Sequence, residues 1–203
     1  MKKRIAVLVS GGGTNLQALL DAEAAGKLPH GEIALVVSNN PNAYALERAR
    51  LAGVPGAVIT RKECGSQAAF EATLQAVLER NGTDLIILAG FMMILSESFT
   101  SKWPKQILNV HPSLIPSFCG EGFYGLKVHE AALAYGVKVT GATVHFVNEI
   151  PDGGEIILQK AVDVLPGDTP EVLQRRVMEE AEWKILPAAV ETVSRDLLSL
   201  KNV

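Results

Sequence analysis

Four short apolar runs, at residues 5–9, 33–37, 57–60 and 85–88, alternate with segments of helical spacing at 15–25, 43–52 and 67–80. In the first helical segment Leu16, Leu19 and Leu20 share a face, and in the last Phe70, Leu74, Val77 and Leu78 do. The run at 85–88 is apolar throughout, as expected of a strand covered on both sides. Strand–helix repetition of this kind predicts an α/β protein with an open, mostly parallel, doubly wound (Rossmann-like) sheet. Right-handed crossovers then bring the strand C-termini to one edge, where such sheets bind ligands.

The second half changes character. A strand over 107–110 stops before Pro112, and a helix follows over 126–135. Two β-branched runs, 137–147 and 155–164, flank the turn Pro151-Asp152-Gly153-Gly154 and predict an antiparallel C-terminal hairpin. Thr169 and Pro170 open a long helical region that Pro187 is expected to kink or divide. The chain reads as one domain, 1–203, with a phosphate-binding half, 1–100, and a second half, 101–203, that carries the polar strand end described below.

Hydrophobic residues make up 48% of the 203, enough for a full core. No apolar stretch approaches the ~20 residues that span a bilayer. The run after Lys2-Lys3-Arg4 ends at Ser10 and three glycines, so it fits a first strand better than a signal peptide. A net charge of −3 argues against a nucleic-acid surface. Cys64 and Cys119 form no close pair and read as reduced thiols of a cytoplasmic protein. The four histidines, His30, His111, His129 and His145, show no metal-ligand spacing, so no metal is expected. His30 reads as a surface turn residue. His129, beside Lys127 and Glu130, reads as part of a solvated helix face. His145 reads as a core histidine or a support for a site nearby.

Ser10-Gly11-Gly12-Gly13-Thr14-Asn15 joins the first strand to the first helix. Such a loop offers free N–H groups to an anion, or else it is a tight turn capped by Thr14 or Asn15. No third dinucleotide-type glycine follows, and strand two ends in Ser38-Asn39-Asn40 without an acid for a ribose, so one phosphate monoester fits better than a dinucleotide. Asn109 and His111 share a strand face, with Val110 turned to the core. An amide donor beside an imidazole suits a developing oxyanion; the alternative is that both only satisfy backbone groups. Asp152 either reaches His111, raising its pKa and fixing its tautomer, or is an ordinary Asp-Gly turn.

Taken together, Ser10 to Gln17, Leu88-Ala89-Gly90-Phe91-Met92, Leu108-Asn109-Val110-His111-Pro112-Ser113, Asp152-Gly153-Gly154 and the run from Thr140 to Val147 resemble the phosphoribosylglycinamide formyltransferase family over essentially the whole chain. The resemblance implies the formyltransferase fold and a formyl transfer from 10-formyltetrahydrofolate, as co-substrate, to the amine of glycinamide ribonucleotide. It implies catalytic roles for Asn109, His111 and Asp152, phosphate binding by Gly13, Thr14 and Asn15, and Glu182 near the substrate amine. Folate binding is implied for Gln67, Met92, Met93, Ile94, Leu95, Asn109, Val147, Asn148, Glu149, Ile150 and Pro151, largely in the catalytic half. The implied partners are these two small molecules, with neither nucleic acid nor membrane; the sequence sets no oligomeric state.

The sequence departs from the family pattern at Met93, where Arg is common, at Gln67, where a basic residue often reaches the folate, and at Glu155, which replaces a frequent Pro. Residues 118–125, rich in glycine and aromatics, form a longer connection than many members have, read either as a closing loop or as a benign insertion. Two related activities share the Asn-x-His…Asp arrangement. One is a formyltetrahydrofolate hydrolase with an extra N-terminal domain; the other is a methionyl-tRNA formyltransferase with an extra C-terminal one. The chain length is expected to disfavour both. A non-catalytic phosphate-binding module on the same sheet is the third alternative.

Overall fold

The structure is a computed structural model and describes residues 2–200; Met1 and residues 201–203, the ends of the expected 1–203 domain, lie outside them. Seven strands form one sheet in the order β3-β2-β1-β4-β5-β6-β7. They are β1 Lys3–Val9, β2 Gly31–Ser38, β3 Gly56–Val58, β4 Leu85–Leu88, β5 Ile107–His111, β6 Val139–Phe146 and β7 Ile156–Asp163. The first five pair in parallel, while β5–β6 and β6–β7 are antiparallel. The expected hairpin is therefore present, and its first strand also extends the sheet from β5.

The helices are α1 Thr14–Ala24, α2 Tyr44–Leu51, α3 Arg61–Cys64, α4 Gln67–Arg80, α5 Glu97–Thr100, α6 Leu126–Tyr135, α7 Pro170–Val177 and α8 Trp183–Leu200. Alternation along β1 sends Ile5, Val7 and Val9 into a core with α1, α2, α7 and α8, and Ala6 and Leu8 into a second core with α4 and α5. Both faces are covered, which is why β4 is apolar throughout and fully buried.

The last helical region is divided, but one turn ahead of Pro187. A π-helical segment, Met178–Glu182, separates α7 from α8, and Pro187 lies inside α8. Proline has no N–H for the carbonyl four residues earlier, that of Trp183, which is where the α-helical ladder restarts.

The strand order reverses direction between β1 and β4, the crevice where doubly wound sheets take ligands. There Ser10, after β1, meets the segment after β4: its Oγ accepts the Met92 N–H at 2.8 Å.

Candidate active site

A cavity of about 800 Å3 opens at this end of the sheet. Asn109, His111 and Asp152 all line it, although Asp152 comes from a loop 41 positions after His111 in the chain. Asp152 Oδ2 lies 3.4 Å from His111 Nδ1, and its Oδ1 lies 3.3 Å from Asn109 Nδ2, which donates. The loop reaches this position because it folds tightly on the end of β6. A Cβ on Gly154 would sit 1.7 Å from the Phe146 carbonyl oxygen, and one on Gly153 would sit 2.6 Å from Ile150 Cγ2. Asp152 itself has φ +55°, a left-handed conformation that costs a non-glycine residue energy and here aims its carboxylate inward.

His111 is buried, and its Nε2 is 2.8 Å from the Phe118 carbonyl oxygen. A carbonyl can only accept, so Nε2 carries the hydrogen. The predicted rise in the pKa of His111 is not what the structure gives. Burial lowers it, outweighing the upward pull of Asp152 and of the Phe118 carbonyl, with His145 adding a smaller downward push. Asp152 behaves as a carboxylate: burial pushes its pKa up, but His145, the charge of His111 and the Gly120 N–H together bring it below the ordinary value. That N–H donates to Asp152 Oδ2 at 2.9 Å. Residues 118–120 of the longer 118–125 connection thus touch two of the three central side chains.

Asn15 and Glu182 also line the cavity. Asn15 Nδ2 donates to Glu182 Oε2 at 2.7 Å, while Asn15 Oδ1 is buried without a partner among the described residues. Burial pushes Glu182 up to about 7, against the hydrogen bond from Asn15. The π segment turns Glu182 toward the cavity, a recurrent use of such segments.

The glycine loop is not capped as the turn alternative required. Gly13 is the N-cap of α1, and no Thr14 or Asn15 side chain caps it among the described residues. Thr14 points to Met178, and Asn15 to Glu182. Gly13 has its own steric reason to be glycine: at φ +73°, a Cβ would lie 2.6 Å from that of Ala45. Of the three, Asn15 lines the main cavity and Thr14 a neighbouring groove against α8, while Gly13 is in the lining of neither.

On the expected folate side, Met92, Met93, Ile94, Leu95, Val147, Asn148, Ile150 and Pro151 line the cavity, with Met92, Ile94 and Ile150 exposed. Glu149 is exposed and outside the lining. Gln67 does not reach the cavity. Its Nε2 donates to the Ile94 carbonyl at 3.1 Å and to Glu71 Oε1 at 2.7 Å, and the buried Glu71 also accepts from the Ser96 N–H and hydroxyl. Gln67 and Glu71 therefore hold residues 94–96 in place from behind.

One histidine departs from its sequence reading, and another meets both of its readings. His129, expected on a solvated face, is fully buried with Val128 and Ala132, while Lys127 and Glu130 point outward. It lines the cavity, neither ring nitrogen has a partner among the described residues, and burial, with His111 nearby, lowers its pKa to about 4. His145 is the buried, hydrogen-bonded histidine expected, and it also lies against the site: its Nε2 is 3.2 Å from Asn109 Nδ2 and 3.5 Å from Asp152 Oδ1. The β5–β6 register, which pairs Asn109 with His145, puts it there. Cys119 Sγ lies 3.3 Å from the Pro116 carbonyl oxygen and its thiol is pushed up by burial and by Asp152, so it stays an inert thiol. Among the described residues no group of three or more His, Cys, Asp or Glu is arranged to hold a metal ion, and no helix is long and apolar enough to cross a membrane.

Comparison with known proteins gives one family. The family described as formyl transferase matches residues 3–190. The "Phosphoribosylglycinamide formyltransferase" of Haemophilus influenzae is 41% identical over 98% of this chain and 91% of its own length. The bovine "Trifunctional purine biosynthetic protein adenosine-3" is 48% identical over 98% of this chain, but the chain spans only 19% of that relative's length. Among solved structures, "glycinamide ribonucleotide transformylase 1" from Symbiobacterium toebii superposes with a TM-score of 0.90 at 45% identity, covering 96% of this chain and 89% of the other.

Proposed function

The chain belongs to the formyl transferase family, and from that premise we propose that it moves the formyl group of 10-formyltetrahydrofolate to the amine of N1-(5-phospho-D-ribosyl)glycinamide, in purine (IMP) synthesis. The observation that carries this reading is the meeting of Asn109, His111 and Asp152 in one cavity whose walls also include Asn15, Glu182 and residues 92–95. A binding module for phosphate alone has no use for that trio.

The phosphate rests on the uncapped N-terminus of α1, at Gly13, Thr14 and Asn15. The pterin lies against residues 92–95 and 147–151, and Glu182 holds the amine end of the nucleotide. The neutral amine attacks the formyl carbon, and the carbonyl electrons move to oxygen. Asn109 N–H and His111 Nε2–H then face the oxyanion, His111 exchanging the Phe118 carbonyl for it. His111 acts protonated in this step, its second ring hydrogen on Nδ1 facing Asp152 Oδ2 at 3.4 Å, a carboxylate that pulls its pKa up against burial. Asp152 fixes the ring and relays the amine proton to the departing folate nitrogen as the C–N bond breaks. No covalent enzyme intermediate and no metal enter this sequence of steps.

In this reading residues 1–203 are one domain. Its 1–100 half brings the phosphate loop and the 92–95 segment, and its 101–203 half brings the catalytic groups and the rest of the folate wall. The protein works in the cytoplasm, consistent with two free thiols.

The test is deformylation of 10-formyltetrahydrofolate, followed by absorbance with and without glycinamide ribonucleotide. Signal that requires the amine is expected. Equal signal without it would make the protein a hydrolase, and no signal at all would defeat the reading.

A further inference from the structure

His145 has no place in the steps above, yet it is 1% exposed and touches two residues that do. Its protonation pattern follows from its partners. Nδ1 lies 2.8 Å from the Phe146 carbonyl oxygen, which only accepts, so Nδ1 carries the hydrogen. With the ring hydrogen on Nδ1, the Nε2 lone pair lies 3.2 Å from the amide nitrogen of Asn109, which can only donate. Asp152 Oδ1, another acceptor, lies 3.3 Å from that nitrogen and 3.5 Å from His145 Nε2.

Both acceptors select the amide's nitrogen side. A flipped Asn109 would turn its oxygen toward a ring lone pair and a carboxylate. The three atoms form a nearly equilateral triangle, whose corner is half the angle between the two N–H bonds of an amide. One N–H therefore serves both acceptors as a shared bond, leaving the second for the cavity.

The backbone builds this contact deliberately close. Asn109 and His145 are direct partners across β5 and β6, and a register irregularity on the β7 side falls between Val144 and His145, where a bulge re-aims a side chain.

We propose that His145 is a positioning residue that acts through Asn109, holding its amide in the one orientation that presents an N–H to the oxyanion. The inference rests on the formyl-transfer reading above. Without His145, Asp152 alone restrains the amide, and a share of molecules offers the oxyanion an oxygen instead.

A double-mutant cycle tests it, using purified full chain and both substrates. His145→Leu is expected to lower kcat roughly 10-fold or more with KM for either substrate within about 2-fold, and Asn109→Ala to lower kcat about 100-fold, the scale of a lost oxyanion donor. In the Asn109→Ala background His145→Leu is expected to change kcat less than about 2-fold. His145→Gln, which can still accept at the Nε2 position, is expected to recover most of the loss and replaces His145→Leu in the cycle if the latter does not fold. Losses that multiply in the double variant would overturn the proposal, as would a Gln variant no better than Leu or a Leu variant with unchanged kcat. A wild-type chain that moves no formyl group would defeat the underlying reading, a result separate from all of these.

Discussion

At the scale of single residues the site is unusual for the buried titratable groups it carries without full partners, and pH exposes them. His129 has a folded pKa of about 4 against an ordinary 6.5. Protonation therefore favours the unfolded chain, and stability falls as pH drops from about 6.5 toward about 4. His111 is shifted in the same direction. Replacing His129 with Leu removes a ring with two unpaired nitrogens, so the variant should melt no lower than the wild type at neutral pH. It should also lose less stability on acidification, His111 keeping part of the slope. Thermal melts across that pH range would check this, and a large loss at neutral pH would mean that His129 has a polar partner, such as an ordered water. Glu182 has the opposite dependence. Its carboxyl is neutral when folded up to about 7 but ionises near 4.5 when unfolded, so its burial costs stability as pH rises between those values. Glu182→Gln keeps the acceptor for Asn15. It should gain up to about 3 kcal/mol above pH 7 and nothing below about pH 4.5. Denaturant unfolding at the two extremes would show whether the gain has this sign.

At the scale of elements the glycine loop separates stability from binding. Gly13 sits at φ +73° with Ala45 in the way of any Cβ, whereas Gly12 has a usual backbone and nothing within 4 Å of a Cβ. Gly13→Ala should therefore lower stability by about 1–3 kcal/mol. Gly12→Ala should leave the melting temperature alone and weaken the nucleotide, since an added methyl would crowd an anion at the helix start. Equal KM for the nucleotide in Gly12→Ala and wild type would move the phosphate elsewhere. These elements were largely legible beforehand: β4 and α4 fall where periodicity puts them, because an apolar strand and a one-faced helix write their burial into local spacing. The four-residue helices α3 and α5 and the π segment carry no such period. Asn109 and His111 could be paired from their i, i+2 spacing, but joining Asp152 to them needed the motif resemblance, because its approach depends on a left-handed turn and two glycines packed on β6. His129 misled because its polar chain neighbours Lys127 and Glu130 are exposed while it is buried with Val128 and Ala132. Gln67, expected at the folate, stands behind the 94–96 segment, a position that spacing does not disclose.

At the scale of the whole molecule the site does not belong to either half. Residues 92–95 and Asn15 come from the first, and Asn109, His111, Asp152 and Glu182 from the second. The halves are joined by β4–β5 pairing and by one apolar core that runs from Ile5 and Leu85 to Leu108, Ala142 and Leu186. Unfolding one half would expose the core face of the other, so a single cooperative transition is expected. A ligand that touches both halves then stabilises all of it. An unreactive folate analogue at 100 times its Kd contributes about 2.7 kcal/mol, which for a chain of this size should raise Tm by roughly 5–10 °C. Differential scanning calorimetry with and without the analogue measures both quantities at once. Two transitions, only one of them moved by the ligand, would mean that the halves melt separately and that the folate wall belongs to one of them. One transition moved as a whole would mean that the cavity is itself part of what couples β4 to β5.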